Sequence, residues 1–294
     1  MQIHLIDGTY ELFRHYFAVP SRQDANGKEV AALVGVLRSV LGILREGATH
    51  VGVATDHTVE SFRNGMYEGY KSGEGLEPEL WEQFHPLENA LRAMGVVVWP
   101  MSEFEADDGL ASAAAQLAAH AEVERIFICS PDKDLSQCVV ADRIVQVDRR
   151  KGETRTEEGV WEKFGVGPRS ITDYLALVGD TADGFPGLPR WGAKGTAAVL
   201  SRYPRLEDIP EDPADWEDPP RGAAGLGKTL REQWDDAILF RDLATLRLDA
   251  VTVNAPDELR WTSPTPEFDG VCAELGVPRL AEQAAAIAGA RSGP

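Results

Sequence analysis

VVVWPMSEFEADDGLASAAAQLAAHAEVERIFICSPDKD, Val96 to Asp134, decides the architecture. VVVW (Val96 to Trp99) is a β-branched run and predicts a strand. An alanine-rich segment from about Glu105 to Ala119 predicts a helix, and RIFICS (Arg125 to Ser130) a further strand. A strand, a helix and a strand in succession imply parallel pairing, with the helix covering one face of a sheet.

The same alternation extends outward from this unit. IHLID (Ile3 to Asp7), VGVATD (Val51 to Asp56) and RIVQV (Arg143 to Val147) read as strands. Helical patterns cover Ala31 to Glu46 and Leu87 to Met94. The expected fold class is therefore α/β with a mostly parallel sheet covered on both faces. After about Glu157 the β signal fades. VWEKFG, SITDYLALVG, GAKGTAAVLSRY and LGKTLREQWDDAILFRDLATL then predict short helices set apart by Gly and Pro, and EDPADWEDPP (Glu211 to Pro220) predicts an acidic surface loop between two of them.

Composition limits the function. The chain has 294 residues, and 29 basic against 48 acidic residues leave a net charge of −19. A basic nucleic-acid coat is excluded, so contact with phosphates must come from a local patch or through metal ions. The three cysteines, Cys129, Cys138 and Cys272, form no CxxC pair, which argues against a disulfide framework and a structural zinc. The chain opens directly into a strand, and its apolar run AALVGVL is broken by Arg38. A soluble cytoplasmic protein without signal peptide or membrane span is expected.

The acids fall at strand ends. Asp7 closes the first strand and Asp56 the second. Glu105, Asp107 and Asp108 follow the third, and Asp132 and Asp134 the fourth. Loops at the carboxyl ends of an open α/β sheet converge on one crevice. These seven carboxylates are expected to crowd together, at a cost that bound cations or protons would offset. Each also has an ordinary role: Ser102 to Glu105 matches a capping box, and Ser130-Pro131 is a good helix start with Asp132 in its first turn. The lack of nearby His and Cys ligands favours a hard cation, Mg²⁺ or Mn²⁺. Further on, Asp180 and Asp183 are spaced to share a face of a helical turn. Gly187, Gly192 and Gly195, with Lys194 and Thr196, form a glycine-rich turn that opens a helix and can offer N–H groups to a phosphate. An ordinary connection between helices has the same composition.

In order, IHLIDG, VATDHTVESFRNGMYEGYK, EFEADDGLAS, SPDKDLSQ, VGDTADGFPG and WGAKGTA resemble the structure-specific 5′ nuclease family. That family comprises flap endonucleases and the 5′-3′ exonuclease domain of bacterial DNA polymerase I; the chain resembles a stand-alone form. The resemblance implies a PIN-like (resolvase-like) core over 1–165. It implies a helical region over 166–294 with a helix-three-turn-helix motif and C-terminal helices packing back on the core. It implies two divalent ions held by Asp7, Asp56, Glu105, Asp107, Asp108, Asp132, Asp134, Asp180 and Asp183. Of these, Asp107, Asp132 and Asp134 are carried over as catalytic together with Lys71 on the scissile phosphate. Tyr70 would stack on a terminal base. Arg63, Arg190, Gly192, Lys194, Gly195 and Thr196 would contact substrate, with a K⁺ ion at the turn in many members. The implied partner is DNA with a 5′ flap or 5′ end, and by extension an RNA–DNA hybrid. A monomer with no nucleotide cofactor and no membrane contact is expected. Independently of the family, two ions about 4 Å apart suit phosphodiester hydrolysis without a histidine base.

Three departures stand out. The family pattern YKxxR has Glu74 at its last position, in an acidic segment expected to arch over single-stranded DNA, and Arg63 is the candidate compensating cation. The asparagine of GDxxDN is Gly184. The first glycine of the GxG turn is Arg190. These keep open a DNA-junction-binding protein with weakened catalysis. A PIN-type ribonuclease would explain the core acids but not the helical region. An acidic α/β protein of unrelated function is a minor further alternative. GAAGLGKT (Gly222 to Thr229) matches a P-loop pattern, but PADWEDPPR before it is no central strand, so a helix start is expected there, with Lys228 near a phosphate.

Overall fold

In the computed structural model, which describes residues 1–291, the chain runs through β1 (Gln2–Asp7), α1 (Gly8–Ala18), α2 (Ala31–Arg45), β2 (His50–Asp56), α3 (Pro78–Trp81), α4 (Phe84–Ala93), β3 (Val97–Met101), α5 (Ala106–Leu117) and β4 (Arg125–Cys129). It continues through β5 (Ile144–Asp148), β6 (Glu153–Arg155), α6 (Glu157–Phe164), α7 (Ile171–Val178), α8 (Ala193–Leu200), α9 (Ala223–Glu232), α10 (Trp234–Ala244), α11 (Phe268–Glu274) and α12 (Pro278–Arg291).

The chain divides into two compact units. The first comprises Met1–Val59, Gly73–Ser130 and the chain from Leu248 on; the second comprises Glu60–Ser72 and Pro131–Arg247. The first unit is thus assembled from three separate stretches of the chain and the second from two.

In the first unit the strands stand in the order β3-β2-β1-β4, all parallel. Register places Asp7 opposite Ala54, and Asp56 opposite Met101, so both acids lie at the carboxyl edge. Ile3, Leu5, Ile6, Val53, Ile126 and Ile128 are buried, as a sheet covered on both faces requires. Helix α2 is buried nearly all round, which explains its continuous apolar run. Helix α1 carries no such run and is not evident from pattern. Asp7 starts it by accepting the Tyr10 N–H at 2.8 Å. Gly8 lets it begin tight against β2, since a Cβ there would stand 2.7 Å from Thr55 Cγ2. The returning C-terminal segment is tied to α5 through Ser112, which donates to Leu248 O at 2.9 Å. Trp261 Nε1 donates to Met94 O at 2.8 Å, and Arg291 donates to Ala48 O at 2.7 Å.

The second unit holds the antiparallel pair β5–β6 and five helices, α6 to α10, packed around Phe185, Trp191, Trp216 and Phe240. Trp216 anchors the acidic proline-rich loop by donating to Pro210 O at 2.7 Å. Among the described residues, no helix is long and apolar enough to cross a membrane.

Candidate metal centre and nucleic-acid interface

Acids of the first unit gather at the start of α5. The helix is capped by Glu105 itself, not by Ser102. Glu105 and Asp108 form the capping box, with the Glu105 N–H donating to Asp108 at 2.9 Å. Asp56 adds its carboxylate, accepting the Ala106 N–H at 2.8 Å, and is braced from β1's side by Thr9, whose hydroxyl accepts the Asp56 N–H at 2.8 Å. The positive end of α5 offsets part of the repulsion among these acids. Asp107 lies half-buried in the same first turn. Asp7 keeps both oxygens engaged, one as the cap of α1 and the other accepting the Ser130 hydroxyl at 2.8 Å. Capping and ligation are compatible, because a carboxylate oxygen has a second lone pair.

In the second unit, oxygens of Asp134, Asp180 and Asp183 lie within 4.8 Å of one another. The route to this arrangement differs from the one expected. Helix α7 stops at Val178, and Asp180 and Asp183 sit on a turn closed by a bridge. Asp180 N donates to Phe185 O at 2.8 Å, and Phe185 N donates back at 3.0 Å. A tight turn, not a helical face, brings the two acids together. Asp132 likewise precedes its helix: it accepts the Asp134 N–H at 3.1 Å, just ahead of a 3₁₀ turn, Asp134–Cys138. Burial, followed by the charges of Asp132, Asp183 and Asp180, pushes the Asp134 carboxyl well above the usual carboxylate range, against a smaller opposing pull from Lys71. One Asp134 oxygen, Oδ1, is buried without a hydrogen-bond partner. Three hard oxygen donors around such an atom fit a divalent cation.

Two lysines reach this cluster. Lys71 Nζ lies 2.8 Å from Asp183 Oδ1. Lys133 Nζ lies 2.8 Å from Asp180 Oδ1. The sequence signal for Lys133 is its place between two acids in Asp132-Lys133-Asp134. The backbone at Lys71 is fixed too, its N–H donating to Asp183 O at 2.9 Å. Gly184 explains its own departure. With φ of 88° it packs on the 69–71 segment, where a side chain would collide.

Two side chains expected to contact substrate are buried. Arg63 is 1% exposed, its guanidinium donating to Leu243 O at 2.8 Å and Thr245 O at 3.1 Å. It ties the end of α10 to the 60–72 segment and offers no cation to a strand. Tyr70 is 4% exposed within the helical core, so its ring has no open face for a terminal base.

At the glycine-rich turn, Gly192 caps α8, and Gly192 and Lys194 are exposed. Gly195 is half-buried, and Thr196 is fully buried with its hydroxyl unpartnered among the described residues. Arg190 holds φ of 75°, the left-handed conformation a glycine would take, and its guanidinium lies over Gly225 of α9. The turn survives the substitution, with Trp191 buried and donating to Leu226 O at 3.2 Å. The P-loop-like segment forms the start of α9, and Lys228 is exposed and pairs with Glu232 at 3.7 Å.

A family model of the 5′-3′ exonuclease N-terminal resolvase-like domain matches residues 2–165, and one of the 5′-3′ exonuclease C-terminal SAM fold matches 166–267. The chain belongs to the 5′-3′ exonuclease family. DNA polymerase I of Pseudomonas aeruginosa is 34% identical over 256 residues, covering 83% of this chain. The chain spans only about a quarter of that protein, 27% of its length. A 5′-3′ exonuclease of Buchnera aphidicola is 29% identical over 249 residues, covering 83% of this chain and 86% of its own. In fold, this exonuclease-family chain is similar to a bacteriophage T5 flap endonuclease solved with DNA and metal ions, with a TM-score of 0.65, 17% identity and 98% of each chain covered.

Proposed function

We propose that the chain is a divalent-metal-dependent 5′ nuclease. It hydrolyses DNA phosphodiesters near a single-strand/duplex junction and leaves a 5′-phosphate. The observation that carries this reading is the grouping of Asp134, Asp180 and Asp183 within 4.8 Å, with Lys71 on Asp183. Asp134, Asp180 and Asp183, with Asp132 beside them, would hold one cation; Asp7, Asp56, Glu105, Asp107 and Asp108 would hold a second. Mg²⁺ or Mn²⁺ would acidify a water and offset charge on the phosphate. The chain's own part is to place positive charge and exclude alternatives. Lys71 exchanges its Asp183 partner for a phosphate oxygen as negative charge builds there. Lys133 balances the cluster from Asp180. The N–H groups at the start of α8, with Lys194, hold duplex backbone independently of sequence. K⁺ at that turn is part of the same reading, supported by the unpartnered Thr196 hydroxyl as an oxygen donor.

The test is cleavage of a labelled 5′-flap duplex with and without Mg²⁺ or Mn²⁺, mapped at nucleotide resolution. Cuts near the junction only with metal support the reading; metal-independent cuts or none overturn it. A second reading, junction binding with weakened cleavage, is favoured by the inward Tyr70 and Arg63. Tight flap binding without metal-dependent cuts would select it.

A further inference from the structure

The first unit contains a cavity of about 520 Å³ between α2 and the start of α12. Its wall carries four arginines, Arg22, Arg38, Arg45 and Arg279, and among the described residues no carboxylate lines it. That is unusual in a chain whose net charge is −19. Arg38, Arg45 and Arg279 are exposed, and none forms an ion pair among the described residues. Arg22 is anchored by donating to Gly276 O, while its Nε is buried without a partner. Like charges held together without counter-charge repel, so the arrangement favours an anion. The cavity also meets the positive end of α12, a helix of 14 residues.

We propose that this cavity binds the vicinal phosphates of a nucleotide. Its volume suits a nucleotide-sized ligand. Guanidinium groups match phosphate oxygens two at a time, and four of them match the charge of a di- or triphosphate better than that of a single phosphate. Leu41 and Leu280 give the sugar and base an apolar wall, and the Gln283 amide offers the base edge a donor and an acceptor. The acids assigned to metal do not line this cavity, so the site stands independently of the nuclease reading. Adjoining phosphates of this kind belong to a free nucleoside di- or triphosphate; the 5′ end of a strand, with its single terminal phosphate, is the rival source.

Calorimetric titration of the full chain in EDTA, where metal-dependent cleavage is absent, separates these sources. The probes are dATP, a 5′-phosphorylated tetrathymidylate and inorganic phosphate. Expected is saturable binding of dATP, weakened at least tenfold in Arg38→Glu/Arg45→Glu and several-fold in Arg279→Gln. Arg92→Glu, an exposed cation on α4, should leave it unchanged. These side chains lie on the surface, and thermal melts of each variant check that the fold is intact. Binding of dATP supports the proposal; binding of the tetrathymidylate alone would identify a strand-end site and overturn it. Affinity for neither, equal affinity in the double variant, or inorganic phosphate binding as tightly as both would overturn the proposal.

Discussion

The carbonyl oxygen of Gly69 lies 2.2 Å from the position a Cβ on Gly184 would occupy. Gly184 is therefore what allows the turn carrying Asp183 to lie against the segment carrying Lys71. Restoring the family's asparagine at this position should harm the protein. Gly184→Asn is expected to cost about 1–3 kcal/mol of stability and to slow single-turnover flap cleavage, since Lys71 shifts with its backbone. Chemical denaturation and quench-flow measure the two effects; a variant as stable as wild type and faster would contradict the packing argument.

Asp134→Asn should nearly abolish cleavage while raising stability in the absence of metal. The folded-state pKa of Asp134 lies above its unfolded value of about 3.8. Below both values the group contributes nothing. As pH rises from the unfolded value through the folded one, the native state retains a proton that the unfolded chain has lost, so stability falls across that window. Wild type should weaken there and Asp134→Asn should not. Mg²⁺ at a hundred times its Kd should restore about 2.7 kcal/mol to wild type only. Denaturation curves at several pH values, with and without Mg²⁺, read both effects.

Lys194→Ala should weaken binding to duplexes of any sequence and lower the log–log salt slope by about 0.9, as loss of one phosphate contact does. Fluorescence anisotropy over a salt series tests this. An unchanged slope would make Lys194 an ordinary solvated charge.

Arg63→Ala should act on stability. It leaves the carbonyls of Leu243 and Thr245 without their buried donor, at a cost of about 3 kcal/mol. Per folded molecule, the KM for a flap should stay within about twofold, below the 1.4 kcal/mol that a tenfold change represents. A tenfold rise in KM with an unchanged melting temperature would return Arg63 to the substrate.

Glu74 is exposed and follows the Lys71 segment in sequence, so it remains the candidate that limits attraction for a single strand. Glu74→Arg should speed single-turnover cleavage several-fold, more at low salt; a charge about 8 Å from the phosphate is worth on the order of 2 kcal/mol before screening at a dielectric near 20. Identical rates at low and high salt would remove Glu74 from the mechanism.

The parallel core was legible because β1 to β4 are β-branched runs, and a carboxylate at the end of such a run has its place set by register alone. Local pattern failed where distant contacts decide. Arg63 bonds to a carbonyl 180 residues away, and nothing near SFRNGMYEGYK announces it. Tyr70 is buried by helices that arrive more than a hundred residues later. Asp180 and Asp183 could be paired from spacing, but the bridge to Phe185 that pairs them depends on a turn whose geometry the spacing does not specify. Helix α1 leaves no periodic stripe in the sequence, because it buries only Gly8, Glu11 and Leu12.

The path of the chain has a consequence for its synthesis. It passes from one compact unit to the other at 59/60, 72/73, 130/131 and 247/248. A ribosome that has released residues 1–165 has therefore finished neither unit: the first still lacks α11 and α12, and the second lacks α7 to α10. The nascent chain must carry the faces of α2 and α4 that α12 and α11 cover exposed until those helices emerge. A fragment cut where the two family models meet should accordingly be recovered as an aggregate, whereas the whole chain should refold from denaturant.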